Sequence, residues 1–163
     1  MTCLERLSAY LRENCVPYTI HHHPAASTAF AIAASEHIPP HTFAKVVMVF
    51  IDGRMAMLVV PADTRVDLVR LADVIGAREI CLADEREFVP LFPDCEPGAM
   101  PPFGNLYGLP VYLDRNLAEG ETIMFQAGTH RDAIMMRSED FIRLARPFIT
   151  SFERDTHMLA GHF

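Results

Sequence analysis

Segment 95–108, CEPGAMPPFGNLYG, has the composition of a loop that could present main-chain groups to a ligand. Three glycines and three prolines alternate with apolar side chains, which excludes a helix interior or a central strand and predicts a rigid, apolar loop. Glycine permits backbone conformations and close approaches that side chains forbid, so such a loop can direct N–H and C=O groups at a small molecule. A tight crossover between sheet elements is the alternative, and this segment alone fits both interpretations equally.

Lys45 is the second residue with a chemical signal. It is the only lysine among fourteen basic residues, and it directly precedes the apolar run 46–51. A charge at that position must either reach solvent or serve a site. A lysine ammonium is a compact charge on a flexible stem and suits a phosphate, a ribose oxygen or a carbonyl. The alternative is an edge lysine that protects a strand from aggregation.

Hydrophobic periodicity and the placement of glycine and proline predict alternating helices and strands. Helices are expected over 2–14, 30–35, 66–75, 84–91 and 138–145, and strands over 18–22, 46–51, 55–60, 79–82, 109–113, 122–126 and 133–136, with turns at 52–53 and 128–130. We expect Ser27 or Thr28 to cap the second helix and Ser138 to cap the last. The helix over 66–75 is expected to bury its apolar residues, namely Leu68, Val69, Leu71 and Ala72.

Length and composition predict one domain with a substantial core. The chain has 163 residues, half of them hydrophobic, which excludes disorder. No apolar run is long enough to span a membrane, and the N-terminus lacks a signal-peptide pattern. The four cysteines show neither CxxC spacing nor histidine partners at zinc spacing. We therefore expect reduced thiols in a cytoplasmic protein that uses no metal or other cofactor.

Residues 98–104 resemble the GxxxP loop of the prolyl-tRNA-synthetase-associated editing domains, the YbaK-like family. Lys45, within 43–49, resembles the lysine that opens a core strand in that family, and the Ala-Gly-Thr-His segment 127–130 also fits. The resemblance covers roughly residues 3–147. It implies a mixed α/β fold with a curved, mixed central β-sheet or partial barrel surrounded by helices. We assign 1–147 to this domain and 148–163 to a tail that packs loosely or contacts a partner.

The resemblance also implies roles for individual residues in metal-free deacylation of mischarged aminoacyl-tRNA. Lys45 positions the substrate electrostatically, Gly98 supplies oxyanion or amino-group contacts, and His130 orients water or substrate. The alternative for His130 is a structural role in the turn. The alternative for Thr28 is that it only caps the helix. The expected substrate-binding residues lie along the loop or border the pocket: Thr28, Phe30, Ala99, Met100, Pro101, Pro102, Phe103, Gly104, Gly128 and Thr129. Asp94 and Asn105 flank the loop and are expected to brace it.

The residues available suit hydrolysis of an activated ester better than cleavage of an amide. The sequence has no GxSxG, HExxH, Walker or GxGxxG motif. Val46 stands where many family members carry Thr or Asn, and a pocket bounded by Met100, Phe103 and Phe30 favours a small side chain. We therefore expect alanine, cysteine or serine, carried on tRNA(Pro). Discrimination by size in an apolar pocket is worth only about 1–3 kcal/mol, so some promiscuity is expected.

We interpret the chain as a free-standing trans-editing deacylase that contacts the acceptor end of mischarged tRNA, with prolyl-tRNA synthetase as a candidate partner. The net charge of −7 argues against indiscriminate nucleic-acid binding, DNA included. Either a local basic patch contacts only the acceptor end, or a partner delivers the tRNA. Arg65, Arg70 and Arg78 could supply that patch, and a solvated helix face explains them equally well. A non-catalytic regulatory module that senses an amino acid or binds a tRNA 3′ end is the alternative, which the acidic charge favours. A hydrolase of small esters unconnected with tRNA is a third possibility.

Overall fold

The structure is a computed structural model and describes residues 1–26 and 28–152, except for the side chain of Phe30. Its elements, in chain order, are α1 (Cys3–Glu13), β1 (Tyr18–His22), α2 (Ala29–Ser35), β2 (Ala44–Ile51), β3 (Arg54–Pro61), α3 (Leu68–Ile75), β4 (Ile80–Leu82), α4 (Glu85–Phe88), β5 (Val111–Asp114), α5 (Arg115–Ala118), β6 (Thr122–Gln126), β7 (Asp132–Arg137), α6 (Ser138–Ala145) and β8 (Phe148–Thr150). Short 3-10 turns occur at Pro40–Thr42, Val89–Leu91 and Gly104–Tyr107.

Local signals in the sequence account for the ends of several elements. The Asp67 side chain caps α3 by accepting from the Arg70 N–H, and Gly76 ends the helix in the left-handed conformation. The chain reverses between β2 and β3 at Asp52-Gly53, both with positive φ, as a two-residue hairpin turn requires. The expected bounds of β1 and β6 are confirmed.

The strands form two sheets. β1, β7 and β6 make an antiparallel three-stranded sheet, and β4, β2, β3, β5 and β8 make a mixed five-stranded sheet in that order. An isolated bridge between Phe43 and Met124 links the two. The expected mixed α/β fold is confirmed, but its strands divide into two bridged sheets in place of one central sheet.

Both faces of the five-stranded sheet are buried at its central strand β3. Along β3, Met57 and Val59 face the main core, which the three-stranded sheet, α1 and α6 share. Leu58 and Val60 alternate with them and pack against α3 and Phe152. This period of two is what a strand with two covered faces produces. A third, smaller cluster packs α2 against the bridge between the sheets.

Some local expectations were wrong because tertiary contacts override them. Val69 is 77% exposed, since it lies one position after Leu68 and outside the stripe that Leu68 forms with Leu71 and Ala72. Ser138 does not cap α6; its N–H donates to the Glu121 carbonyl, so β7 runs directly into the helix. The helix expected over 84–91 is α4 followed by the turn Val89–Leu91, where Pro90 cannot donate a helical hydrogen bond.

The chain beyond Pro147 does not pack loosely where the structure describes it. β8 pairs in parallel with β5, and Phe152 is only 1% exposed. A strand of three residues is too short to show a hydrophobic periodicity, and its partner β5 lies far earlier in the chain. The sequence therefore did not reveal this strand. The rest of the expected tail, 153–163, and the candidate cap Ser27 lie outside the described residues. No helix in the part of the chain that is described has the length and apolar character needed to cross a membrane.

Gly128 should be intolerant of any side chain because α1 packs directly on it. A Cβ at Gly128 would lie 2.4 Å from the Cys3 Cβ, whereas one at Gly53 would meet nothing within 4 Å. Both glycines have positive φ, so alanine strains each by roughly 1–2 kcal/mol. We predict that Gly128→Ala loses a further ~1–3 kcal/mol of unfolding free energy through overpacking. Urea unfolding of the two variants measures the difference, and equal losses would contradict the packing described.

Candidate active site

A cavity of about 400 Å³ lies where β2, β6 and the start of α2 meet the 95–108 loop. Its lining consists of Thr28, Ala29, Lys45, Val46, Ala62, Gly98 and Gln126. The cavity therefore combines one cation, one amide and one hydroxyl with small apolar walls. It also brings together three residues singled out from the sequence, Thr28, Lys45 and Gly98.

Lys45 is held at the cavity by the sheet. It lies near the start of β2, opposite Val60 of β3, and its side chain is partly buried. Burial lowers the pKa of Lys45 below its ordinary value, and the Arg65 charge lowers it further, while Asp63 acts in the opposite direction. The ammonium is consequently poorly solvated and gains most from an anionic or strongly polar partner.

Gly98 lines the cavity from a tight turn over 96–99. The Ala99 N–H donates to the Glu96 carbonyl at 3.0 Å, with Pro97 and Gly98 between them. Gly98 has φ +83°, so this is a type II turn with proline and glycine at the positions that favour them. No acceptor in the described part of the chain bonds the Gly98 N–H. Gly98 therefore brings to the cavity wall a backbone N–H that is unpaired within the described part of the chain.

The turn over 96–99 is fastened to the turn between β6 and β7. The Glu96 N–H donates to the Gly128 carbonyl at 2.7 Å, and the Gly128 N–H donates to the Ala99 carbonyl at 2.9 Å. His130 adds two further bonds: its N–H donates to Glu96 Oε1, and its Nε2 lies 2.8 Å from the Pro97 carbonyl. A carbonyl accepts only, so Nε2 carries the proton.

His130 therefore holds the loop and is absent from the cavity lining. A Cβ at Gly98 would lie 3.6 Å from its Cε1 atom, so the ring packs against the turn at Gly98. This placement favours the structural alternative over direct contact with substrate or water.

The residues after Gly98 form the buried support of the loop. All six from Ala99 to Gly104 are buried. Phe103 makes edge-on ring contacts with Tyr10, Phe125 and Phe141, and Met100 belongs to the same core. The expectation that Met100 and Phe103 bound the pocket does not match the lining. The corresponding expectation for Phe30 falls on a side chain outside those described.

Gly128 and Thr129 line a different cavity. This second cavity, of about 560 Å³, is bordered by Cys3, Cys95 and Asp94 among others. The Thr129 hydroxyl donates to Asp132 Oδ2 and accepts from the N–H groups of Arg131 and Asp132. These local bonds fully account for Thr129 as a turn residue.

Asp94 and Asn105 do brace the loop. Asp94 accepts a hydrogen bond from the Tyr107 hydroxyl at 3.0 Å and lies 3.7 Å from Arg6 of α1. Asn105 donates to the Leu144 carbonyl at the end of α6. Thr28 caps α2 through a bond from the Ala31 N–H, and it also lines the first cavity.

Sequence reasoning missed Gln126 and the apolar walls Ala29 and Ala62. Gln126 ends β6 and is 7% exposed, although glutamine at a strand end is usually solvated. A further cavity of about 330 Å³ adjoins the first and shares Lys45 with it; Arg65 lies on its edge. Of the three arginines expected to form a basic patch, Arg65 is the one beside the cavity.

Comparison with known proteins identifies relatives of this arrangement. Residues 23–144 match the family described as aminoacyl-tRNA editing domain. An Escherichia coli K12 protein named multifunctional Ser/Thr-tRNA deacylase ProXp-y is 27% identical over 155 residues, 92% of each chain. A structure described as a proposed trans-editing enzyme for prolyl-tRNA synthetase superposes with a TM-score of 0.78 at 19% identity, covering 94% of this chain and 98% of that one. A scaffold protein from computational epitope grafting gives 0.80 at 19% identity and the same coverage.

The environment of Lys45 predicts a depressed pKa that can be measured on this one residue. Because Lys45 is the only lysine, its side-chain NMR resonance is unique, and a pH titration yields its pKa directly. We expect the pKa to lie below the ordinary value, since burial destabilises the charged form. Arg65→Ala should raise the pKa and Asp63→Asn should lower it. A pKa at or above that of a lysine peptide would contradict the described burial.

Proposed function

Because the chain belongs to the aminoacyl-tRNA editing domain family, we propose that it hydrolyses the ester bond of mischarged aminoacyl-tRNA, specifically tRNA(Pro) carrying a small amino acid such as alanine, cysteine or serine. The observation that carries this proposal is that Lys45 and Gly98 line the same cavity. One supplies a poorly solvated cation and the other an unbonded backbone donor. The cation complements the negative charge of the tRNA end, and the donor complements the negative charge that develops on the ester carbonyl oxygen.

Lys45 binds and orients the acceptor end. Its ammonium contacts a ribose or phosphate oxygen of the terminal adenosine, which also restores the solvation that burial removes. Held in this way, the ester carbonyl reaches the Gly98 N–H. That N–H then stabilises the negative charge that develops on the carbonyl oxygen.

The reaction adds water across the ester and releases the free amino acid and the tRNA with its terminal hydroxyl restored. An activated ester requires mainly positioning, an oriented water molecule and a donor for the oxyanion. The side chains that line the cavity, among the described residues, include no carboxylate or imidazole. Catalysis therefore depends on position and electrostatics. His130 contributes as a positioning residue, because it fixes the turn that presents Gly98.

The names of the relatives support the substrate class. One is a Ser/Thr-tRNA deacylase and another is described as acting in editing for prolyl-tRNA synthetase. The walls formed by Ala29, Val46 and Ala62 are apolar, and a small amino-acid side chain fits beside them. A synthetase partner that delivers the tRNA is compatible with the net charge of −7, which opposes tight independent binding.

Deacylation assays test this proposal with a panel of Ala-, Cys-, Ser- and Pro-tRNA(Pro). We expect the wild type to hydrolyse at least one mischarged species and to spare Pro-tRNA(Pro). Lys45→Met keeps the length and apolar stem of the side chain but removes its charge. It should lower kcat/KM by about 10²-fold or more, as loss of a key electrostatic contact does.

Arg12→Met is the matched control, because Arg12 lies in the last turn of α1 and is absent from the cavity lining. It should retain wild-type activity. If the wild type binds these tRNAs yet leaves all four esters intact, a non-catalytic sensing module replaces the deacylase. If Lys45→Met and the wild type are equally active, the assigned role of Lys45 is wrong.

Arg65 is expected to extend the contact along the acceptor strand. Its cavity continues from that of Lys45, so one backbone phosphate can reach it. Arg65→Ala should weaken tRNA binding and reduce the slope of log Kd against log salt by roughly 0.7, the value for one single-strand phosphate contact. Fluorescence anisotropy over a salt series measures both quantities. An unchanged slope would mean that the acceptor strand of the tRNA does not contact Arg65.

A further inference from the structure

Cys3 and Cys95 place two thiols side by side, outside the candidate active site. Cys3 is the first residue of α1 and is buried, whereas Cys95 directly precedes the turn over 96–99 and is half-buried. Their sulfurs lie 3.6 and 3.5 Å from the same atom, the Tyr107 hydroxyl oxygen, and a hydrogen bond joins the two thiols. Neither cysteine lines the first cavity. The proposed mechanism therefore leaves this pair of thiols unused.

Both cysteines border the second cavity, which opens to solvent. Met1, which is 87% exposed, borders the same cavity. The volume of about 560 Å³ is ample for a small oxidant such as hydrogen peroxide, which is about twice the size of a water molecule, whose share of liquid volume is about 30 Å³. A small oxidant can therefore reach the two thiols together.

The pair connects α1 to the beginning of the 95–108 loop. Cys3 packs directly on Gly128. The N–H of Glu96, the residue after Cys95, donates to the Gly128 carbonyl at 2.7 Å. A covalent bond between the two sulfurs would therefore fix α1 to this loop at the point where the loop meets the turn between β6 and β7.

The hydrogen bond between the thiols determines which sulfur reacts first. It lowers the pKa of Cys3 and raises the pKa of Cys95; burial opposes the first change and adds to the second. The thiolate is the nucleophile in thiol oxidation, so Cys3 is the reacting sulfur and Cys95 is the thiol that resolves the intermediate. No group of three His, Cys, Asp or Glu side chains among the described residues could hold a metal ion, so a metal does not compete for these thiols there.

We propose that Cys3 and Cys95 form a reversible disulfide when a hydroperoxide oxidises the protein, and that this disulfide fixes α1 to the loop that carries Gly98. The Cys3 thiolate attacks one oxygen of the hydroperoxide, the O–O bond breaks, and the other oxygen leaves with the proton that the thiol gave up. Cys95 then attacks the sulfur of the resulting sulfenic acid, and its proton leaves with the sulfenic oxygen as water. Two thiols are oxidised to one disulfide, and the hydroperoxide is reduced.

Peptide mass mapping of the unaltered chain tests the linkage. The reduced protein is treated with hydrogen peroxide, the remaining thiols are alkylated in denaturant, and the chain is digested with trypsin without reduction. Cleavage after lysine and arginine places the four cysteines in four separate peptides, 1–6, 13–45, 79–86 and 87–115. We expect peptide 1–6 to be joined to peptide 87–115, and dithiothreitol to separate them.

The two exposed cysteines, Cys15 and Cys81, provide the control. The double variant Cys15→Ser/Cys81→Ser should form the same cross-link as the wild type, and Cys95→Ser should not form it. Alkylation of both Cys3 and Cys95 after the peroxide treatment would overturn the proposal. Their conversion to sulfinic acids without a cross-link, or a cross-link from Cys3 to one of the exposed cysteines in the wild type, would also overturn it.

Thermal unfolding tests whether the disulfide fixes α1 to the loop. A disulfide between residues far apart in the sequence restricts the unfolded chain, so oxidation should raise the unfolding midpoint of the wild type by roughly 5–15 °C. Dithiothreitol should reverse the shift, and Cys95→Ser should show the same midpoint before and after peroxide. A cross-linked wild type whose midpoint does not rise would contradict the proposed role of the disulfide. Neither measurement uses tRNA, so both outcomes are independent of the proposed deacylase function.

Discussion

The candidate site depends on the hydrogen bonds between two turns that lie far apart in the sequence. Glu96 and Ala99 exchange backbone bonds with Gly128, and the His130 ring reaches the Pro97 carbonyl. Gly98 has no side chain to fix its conformation, and glycine loses more conformational freedom on folding than any other residue. Bonds to a turn between two paired strands hold it in one conformation. Gly98 is thereby kept at the cavity without a side chain of its own to anchor it.

The same arrangement divides the residues first singled out into those that face the cavity and those that hold the cavity in shape. Lys45 and Gly98 line the cavity. His130, Thr129 and the buried residues 99–104 support the backbone around Gly98. A site of this kind contains few reactive groups. It suits a substrate whose bond is already activated, because position and a well-placed donor then account for most of the rate.

Much of the fold could be predicted because its signals are local. The β1 and β6 strands, the Asp52-Gly53 turn and the C-terminal end of α3 at Gly76 follow from alternation, turn residues and caps. Lys45 was identifiable as the exception in an arginine-rich composition. What escaped depends on contacts distant in the sequence: β8 pairs with the much earlier strand β5, and Gln126 is buried beside a cavity that the start of α2 and Gly98 also line. Nothing adjacent to Gln126 in the sequence records that burial.

A crystal structure with a nonhydrolysable analogue, seryl-3′-amino-3′-deoxyadenosine, tests the central claim most directly, because the described part of the chain contains more than one cavity that could receive it. The account predicts the ligand in the cavity lined by Lys45, with its acyl oxygen within hydrogen-bonding distance of the Gly98 N–H and its adenosine beside the lysine. Binding in the cavity bordered by Cys3 and Gly128, or an acyl oxygen out of reach of Gly98, would contradict it.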